Sequence, residues 1–303
     1  MEPYAGLHSQ GLGLAEAAGL VPEIRPLTPR APWKWLTARL WPNLAAALPP
    51  ETLAPPVPDI IFGCGNAGTV VAASLRAPNR RIIAVQRPRI DFRKFSLVVV
   101  NRHDGLTGPN VIVTRTALHR ITEERLAAAR MQWADRFAHL PRPLVAVLLG
   151  GSNGRFRLTT RVAADLAANL AEMARRDHVG LVVTPSRRTD PAVIRLFAEM
   201  LNPLGAWVWD GTGENPYFGM LALSDMIIVT EDSVSMVSEA VATTAPVMLA
   251  RLPGRSRRIG QFMTDMITSG RVKDFATRYE PWPATPMNDT QEAATEMRRR
   301  LGF

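Results

Sequence analysis

The stretch Leu144-Val-Ala-Val-Leu-Leu-Gly-Gly-Ser-Asn-Gly154 places six consecutive apolar residues directly before a glycine-rich loop. A continuous apolar run of this length is typical of a parallel strand that is buried on both faces. An amphipathic stretch with helical spacing follows at 159–175, and the same alternation continues to residue 269. This order predicts a parallel β-sheet with helices packed on its faces.

The first half of the chain shows the same alternation less regularly. We predict strands at 59–62, 81–85, 97–100 and 111–113, and helices at 10–18 and 122–139. Pro141 and Pro143 interrupt the pattern, so the domain boundary is placed there. The predicted architecture is α/β, with two Rossmann-like, doubly wound domains (1–142 and 143–280) that face a central cleft. Residues 281–303 are predicted to form a linker and a C-terminal helix at 290–301.

The composition excludes several classes of protein. The chain is 47% hydrophobic and 21% charged, which argues for packed cores rather than disorder. Its single cysteine excludes an internal disulfide and a thiolate zinc cluster, and no metal site is expected. We see neither a secretory signal nor a membrane-spanning run, so we expect a cytoplasmic protein, either free or peripheral on the inner face of the cell membrane. Because Gly6–Gln10 resembles a strand-to-helix loop, we also expect a strand to precede it.

The positive charge is concentrated in the first half. The net charge is +9, and residues 1–142 hold 18 Arg and Lys against 10 Asp and Glu, whereas residues 143–303 hold 18 against 17. Such a field favours an anionic partner, for which a phosphorylated substrate or an anionic membrane surface both qualify. A DNA-binding motif is not evident, so nucleic acid is not an expected partner.

Three loops of the second half carry candidate groups for a phosphate. Backbone N–H groups in the loop after the first strand suit an anion, with side-chain donors beside them. A helix predicted to start after Thr230 would hold a diphosphate at its N-terminus, capped by Asp232 or Ser233, and Glu239 would accept the two hydroxyls of a ribose. The predicted diphosphate and nucleotide residues are Gly151, Ser152, Asn153, Ser186, Arg187, Asp232, Ser233, Ser235, Met236 and Glu239.

Two features of the first half suggest further chemistry. His103 and Asp104 follow a predicted strand, where a histidine beside a carboxylate would act as a general base. Trp33, Trp35 and Trp41 alternate with cations, which is typical of an interfacial membrane contact; as a helix, this segment would align Trp33, Leu36, Leu40 and Leu44 on one face. A segment packed on its own domain explains these tryptophans equally well.

The stretch Gly63-Cys-Gly-Asn-Ala-Gly68 matches the dinucleotide fingerprint between a strand and a helix. The acidic residue expected about 20 positions later to bind a ribose is replaced by Gln86 and Arg87, and Arg87 suits a 2′-phosphate. An NADP-dependent oxidoreductase therefore stays open as an alternative. A tight turn that needs glycines is the simpler interpretation.

Several motifs together resemble the mitochondrial-fission ("elongated mitochondria") domain family. They include Thr184-Pro-Ser-Arg-Arg-Thr189, Asn215-Pro-Tyr-Phe-Gly219 and Thr230-Glu-Asp-Ser-Val-Ser-Met236 in the second half, and Gln10-Gly-Leu-Gly-Leu-Ala-Glu-Ala17 in the first. This family is in turn similar to two-lobed (GT-B) glycosyltransferases, whose second lobe binds a nucleotide-sugar and whose first lobe binds the acceptor. The chain departs from the family at Thr243-Thr-Ala-Pro246, where the family usually has a lysine before the proline.

The resemblance implies a glycosyltransferase that uses a nucleoside-diphosphate sugar as co-substrate and needs no other cofactor or metal. The first lobe would bind an anionic or lipid-linked acceptor, with Gly6, Gln10 and Gly65 on the acceptor side and His103 or Asp104 as the base. A non-catalytic membrane or protein adaptor that keeps this fold is the alternative within the family.

Overall fold

The computed structural model describes residues 5–41 and 43–303. Its strands are β1 (Ile60–Cys64), β2 (Arg81–Val85), β3 (Leu97–Asn101), β4 (Val111–Thr114), β5 (Leu144–Leu149), β6 (Gly180–Pro185), β7 (Trp207–Val208), β8 (Met226–Thr230), β9 (Val247–Ala250) and β10 (Val272–Asp274). Its helices are α1 (Ala5–Ala17), α2 (Leu44–Ala47), α3 (Pro50–Leu53), α4 (Gly65–Ser74), α5 (Glu123–Phe137), α6 (Thr160–Asp177), α7 (Pro191–Leu201), α8 (Tyr217–Leu223), α9 (Val234–Val241), α10 (Arg257–Thr268) and α11 (Thr290–Leu301).

The chain divides into two compact units, and each has its own parallel sheet. Unit 1 consists of residues Met1–Arg120 and Asn288–Phe303, and unit 2 of Ile121–Met287. The predicted α/β class with two parallel sheets is confirmed. The central cleft between the domains stays a prediction.

Unit 2 is doubly wound. Its parallel sheet has the order β10-β9-β8-β5-β6-β7. The chain runs outward from β5 through β6 to β7, returns to β8 on the other side of β5, and then runs outward through β9 to β10. One face of the sheet packs against α5, α8, α9 and α10, and the other against α6 and α7. The strands are buried along nearly their whole length, which explains why their apolar runs were visible in the sequence.

The division between the units differs from the boundary that the prolines suggested. Helix α5 belongs to unit 2, because its apolar side chains Leu126, Trp133 and Phe137 are buried in the core beneath β5 and β8. The Trp133 and Phe137 rings lie 5.6 Å apart and both pack against Trp207. The amphipathic pattern of α5 predicted a helix correctly, but such a pattern does not say which sheet the apolar face covers.

Unit 1 has a sheet with the sequential order β1-β2-β3-β4. Helices α1 and α11 pack against it and against each other, through Leu14 of α1 and Ala294 and Met297 of α11. At the start of α11, Asp289 accepts hydrogen bonds from Nε and Nη2 of the Arg115 side chain. The C-terminal helix was predicted at the observed residues, but it completes unit 1 instead of standing apart after a linker.

The segment around Trp33 does not form the single continuous helix that would place Trp33 and Leu44 on one face. It forms two short 3₁₀ turns, Trp33–Trp35 and Ala38–Leu40, which are followed by α2. The extended backbone of Leu36 and Thr37 separates the turns. The first helix also differs from the prediction, because it begins at Ala5 rather than at Gln10. Among the residues that the structure describes, no helix is long and apolar enough to cross a membrane.

Candidate functional site

The candidate site lies at the carboxyl ends of β5, β6 and β8 in unit 2. The chain reverses its direction of travel across the sheet between β5 and β8, which are direct neighbours. In open α/β sheets, ligands bind outside the carboxyl ends of the strands at such a switch point. The loop after β5 carries Gly150 and Gly151, and the loop after β8 carries Asp232 and Ser233, so the structure brings two of the predicted motifs together there.

The Asp232 carboxylate joins the three loops. Its side chain is fully buried, and Oδ2 accepts hydrogen bonds from the Gly151 N–H (3.2 Å) and from Nη2 of Arg188 (2.8 Å). Oδ1 accepts a hydrogen bond from the Thr230 hydroxyl (2.7 Å), which in turn accepts one from the Gly150 N–H (2.7 Å). Asp232 is therefore a structural connection between the loops. It does not cap α9, and it occupies the Gly151 N–H group that was assigned to a phosphate.

The glycines of this loop are needed for close packing. A side chain at Gly150 would collide with the Asp232 carboxylate, and one at Gly151 would collide with the backbone carbonyl of Arg188. The remaining loop is closed on itself: Ser152 bonds both the N–H and the carbonyl of Leu158, and the Asn153 side chain accepts bonds from the next turn. These polar groups hold the loop's shape before any ligand arrives.

The loop after β6 carries Arg187, which was predicted to bind the diphosphate, and its neighbour Arg188. Of the two adjacent arginines, Arg188 reaches Asp232, and its side chain is 42% exposed. Its remaining guanidinium N–H groups meet no acceptor in the described part of the chain. The Ser186 hydroxyl is in hydrogen-bond contact with Thr189 (3.1 Å) and accepts from the Arg188 N–H, so it shapes the loop. Arg187 is exposed to solvent.

Helix α9 begins beside this cation. Ser233 is its N-cap, as one of the two predictions had it: the hydroxyl accepts from the Met236 N–H (3.3 Å) and the carbonyl from the Val237 N–H (3.2 Å). The N–H groups of Val234 and Ser235 have no acceptor within residues 5–41 and 43–303. Both residues are partly exposed, so these two donors and the helix dipole are available to an anion.

Glu239 lies on the same helix with only 8% of its surface exposed. Its Oε2 accepts a hydrogen bond of 2.6 Å from the Tyr217 hydroxyl at the start of α8. Burial, together with the neighbouring Glu239 carboxylate, raises the pKa of Tyr217 well above its ordinary value. The tyrosine therefore stays a donor at neutral pH and fixes the carboxylate that was predicted to bind a ribose.

Glu231, which precedes Asp232, was not singled out from the sequence. Its buried carboxylate accepts from the Leu252 N–H (2.7 Å) and from Nη1 of Arg251 (2.9 Å), which ties the end of β8 to the end of β9. In the sequence, the position of Glu231 directly after a buried strand is the one signal that could have indicated its role. Tyr217, Arg188 and Glu231 all have partners at least 20 positions away in the sequence.

The candidate catalytic pair in unit 1 is buried. The side chains of His103 and Asp104 are 5% and 3% exposed, and His103 Nε2 lies 3.9 Å from an Asp104 oxygen. Asp104 also accepts a hydrogen bond from the Asn101 N–H (3.3 Å), which closes the turn after β3. This geometry explains both residues as parts of a turn, and their catalytic role stays a prediction.

The predicted acceptor-side residues lie in unit 1. Gln10 is buried on α1, and its side-chain oxygen accepts a hydrogen bond of 3.2 Å from the Gln86 amide at the end of β2. Gly65 follows β1 with a φ of 76°, a left-handed conformation that suits glycine, and Gln86 has a φ of 75°. Gly6 lies near the start of α1. The structure thus brings Gln10 beside Gln86, and the acceptor role of all three predicted residues stays a prediction.

The three tryptophans predicted to touch a membrane differ in exposure. Trp35 is 72% exposed, whereas Trp41 packs against a small core of Leu27, Ala38 and Leu48. The indole N–H of Trp41 donates to the carbonyls of Trp33 (3.0 Å) and Leu36 (3.3 Å). Trp41 therefore holds the segment together, and Trp35 is the member that faces solvent.

Unit 1 also contains a cavity of about 470 Å³, which is lined by residues of α1, β1 and α4 and by the loop after α1, including Glu23 and Arg25. In the described part of the chain, no cluster of His, Cys, Asp and Glu has a geometry that could hold a metal ion. Cys64 is free and buried, and burial raises the pKa of its thiol to about 12. It is therefore not a reactive thiolate at neutral pH.

The family model described as "Mitochondrial fission ELM1" matches residues 5–301, and the chain belongs to this family. The chain is similar to the mitochondrial fission protein ELM1 of Arabidopsis thaliana, with 32% identity over 275 residues that cover 80% of this chain and 64% of the plant protein. It thus spans less than two thirds of that relative's length. An uncharacterized protein of Rickettsia prowazekii is 22% identical over 279 residues, or 78% of each chain.

Among solved structures, the chain resembles a UDP-GlcNAc 2-epimerase from Neisseria meningitidis that was crystallised with UDP-GlcNAc. The TM-score is 0.48 with 12% identity, and the match covers 80% of this chain and 68% of the epimerase. A likeness at this level says nothing about what this chain binds.

Proposed function

We propose that unit 2 binds the diphosphate of a nucleoside-diphosphate sugar at the β5–β8 switch point. The observation that carries this proposal is the start of α9, a partly exposed helix end beside the half-exposed Arg188, where two N–H donors have no acceptor among the residues that the structure describes. Positive charge and free N–H groups at a helix N-terminus suit a diphosphate. Glu239, fixed by Tyr217, then accepts the hydroxyls of the ribose.

The proposed reaction is transfer of the sugar to an anionic or lipid-linked acceptor held by unit 1. Negative charge grows on the diphosphate as the bond to the sugar breaks, and the α9 N-terminus and Arg188 stabilise it as it leaves. Positioning of the sugar donor and the acceptor contributes further to the rate in this proposal. In this proposal, no metal ion is needed at the leaving group, and the base that deprotonates the acceptor is His103 or Asp104.

Ligand binding tests the first step. Uridine, guanosine, cytidine and adenosine diphosphates are added to the protein one by one, and its thermal unfolding is followed. A ligand at 100 times its dissociation constant stabilises the folded state by about 2.7 kcal/mol. If none of the four shifts the transition, the proposal is wrong.

A matched pair of variants tests the α9 donors. Val234 is the first residue of the helix, where proline is well tolerated, and Ser233 before it already has the extended backbone that proline requires. Val234→Pro deletes one N–H donor, whereas Val234→Ala also loses the valine side chain's branched methyl groups and keeps the donor. We expect the proline variant to bind the diphosphate about 10- to 100-fold more weakly than the alanine variant, since a hydrogen bond to a charged group contributes about 1.5–3 kcal/mol. Equal affinities would contradict the assignment.

Family membership equally supports a non-catalytic adaptor that retains the nucleotide site. Turnover separates the two functions. A transferase consumes its bound nucleotide-sugar when the acceptor is supplied, and an adaptor returns it unchanged. Bacterial lipid extract and lipopolysaccharide serve as acceptor sources in this comparison.

An NADP-dependent oxidoreductase has weaker support. Nη1 of Arg87 donates to the carbonyl of Asp104 (2.6 Å), so part of the guanidinium is already engaged. A side chain at Gly63 would collide with Gly68 and Ala72, so contact between β1 and α4 explains this glycine without a cofactor. Equilibrium dialysis with NADPH decides the question.

A further inference from the structure

The segment between Trp33 and Trp41 presents three large apolar side chains to solvent. Trp35, Leu36 and Leu40 are 72%, 44% and 58% exposed, and we call them, with the flanking cations Lys34 and Arg39, the Trp35 patch. Single exposed apolar residues are ordinary on protein surfaces, but three within six positions form a concentrated patch.

The patch is held on a fixed base. Ala38 is 3% exposed and packs with Leu27, Leu48 and Val71, and Trp41 packs against the same cluster. The two hydrogen bonds from the Trp41 indole close the segment into a loop. Ala38 and Trp41 are anchored in this cluster, whereas Trp35, Leu36 and Leu40 face solvent. The three exposed side chains can therefore contact a partner without any refolding of the loop.

The charged residues of the patch segment itself are all positive. The Lys34 ammonium lies 4.8 Å from the centre of the Trp35 ring, and Arg39 is exposed. Residues 24–50 contain no Asp or Glu. Unit 1 as a whole carries 17 Arg and Lys against 10 Asp and Glu, whereas unit 2 carries 19 against 17. The patch thus lies within the positively charged unit.

We propose that the Trp35 patch docks unit 1 onto an anionic lipid bilayer, with Trp35, Leu36 and Leu40 in the headgroup region. Tryptophan is amphipathic and favours this depth, the leucines contribute apolar area, and Lys34 and Arg39 contact the lipid phosphates. Charge complementarity favours this occupant over a second copy of the chain, because two copies would bring like charges together. The proposal does not depend on nucleotide binding by unit 2.

Vesicle flotation of the whole protein tests the proposal. The vesicles are phosphatidylcholine alone or phosphatidylcholine mixed with phosphatidylglycerol. We expect binding to the anionic vesicles that weakens as salt is added, because exposed charges are screened. The double variant Trp35→Ala/Leu40→Ala should bind at least about tenfold more weakly, and Lys34→Ala/Arg39→Ala should lose most of the salt dependence.

Met131→Ala is the matched control, since Met131 is 83% exposed on α5 in unit 2. It should bind like the wild type. All the substituted side chains of the patch are exposed, and an unchanged circular-dichroism melt verifies that each variant is folded. Equal binding of the wild type and Trp35→Ala/Leu40→Ala would overturn the proposal, as would equal binding to neutral and anionic vesicles. Concentration-dependent dimers that fail to bind vesicles would assign the patch to self-association instead.

Discussion

The buried carboxylate of Asp232 gives the sharpest stability prediction. Replacing it with alanine leaves the Gly151 N–H without its acceptor in a buried position, and the buried Thr230 hydroxyl loses the acceptor of its own proton. Each such loss costs about 1–3 kcal/mol. Arg188 is half-exposed and regains water, so its ion pair adds little. We therefore expect Asp232→Ala to lower the free energy of unfolding of unit 2 by about 3–5 kcal/mol.

Urea unfolding followed by circular dichroism measures this change, and a thermal melt should shift down by about 10 °C. Asp232→Asn keeps an acceptor oxygen and should lose less, about 1–2 kcal/mol. Asp165→Ala removes an exposed carboxylate of α6 and should stay within about 0.5 kcal/mol of the wild type.

The opposite result is informative. If Asp232→Ala unfolds within about 1 kcal/mol of the wild type and yet loses diphosphate binding, the carboxylate is a ligand-contacting group and not the connection between loops that its hydrogen bonds indicate.

Three further predictions concern pH, glycine packing and the ribose contact. Burial lowers the pKa of His119 to about 4 from its ordinary 6.5, so the unfolded chain binds the proton more tightly. The free energy of unfolding of unit 1 should therefore fall by up to about 3 kcal/mol between about pH 6.5 and pH 4, and His119→Asn should flatten this slope in urea titrations. Gly68→Ala on α4 would make only ordinary van der Waals contacts and should stabilise unit 1 by about 0.5–1 kcal/mol, whereas Gly63→Ala should destabilise it. Thermal melts compare the two variants, and equal shifts of the melting temperature would contradict the packing argument. Tyr217→Phe removes the hydroxyl that donates to Glu239 and should reduce the preference for ribonucleoside over 2′-deoxyribonucleoside diphosphates in calorimetric titrations. An unchanged preference would show that this hydrogen bond does not position Glu239 for the ribose.

Most of the strands could be predicted because a buried parallel strand is a continuous apolar run. The strands β2, β5 and β8 were visible in this way, and the glycines after β5 marked where the first strand of unit 2 ends. The domain boundary could not be predicted, because the apolar stripe of α5 fits either sheet equally well. For the same reason, the sequence pattern of α11 did not show that this helix packs in unit 1.

The candidate site was only partly predictable for a related reason. The loops after β5 and β8 contain small and polar residues, which indicate a binding loop. Which side chains meet across them depends on partners far away in the chain: Asp232 contacts Arg188, and Glu239 contacts Tyr217. Choosing between Arg187 and Arg188 required the backbone of the turn, since a shift of one residue redirects the side chain. The helix expected around Trp33 failed because apolar spacing alone does not distinguish a helix from two short turns.

The return of α11 to unit 1 has a consequence for synthesis on the ribosome. The sequence of unit 2 is complete at Met287, while unit 1 still lacks the helix that covers Leu14 and the α1 face. Domains usually fold in the order in which they emerge, but here the earlier-emerging unit must wait for the later one to be translated. Its uncovered apolar face is then a natural target for chaperones, and truncations that remove α11 should harm the amino-terminal half of the protein more than the half they adjoin.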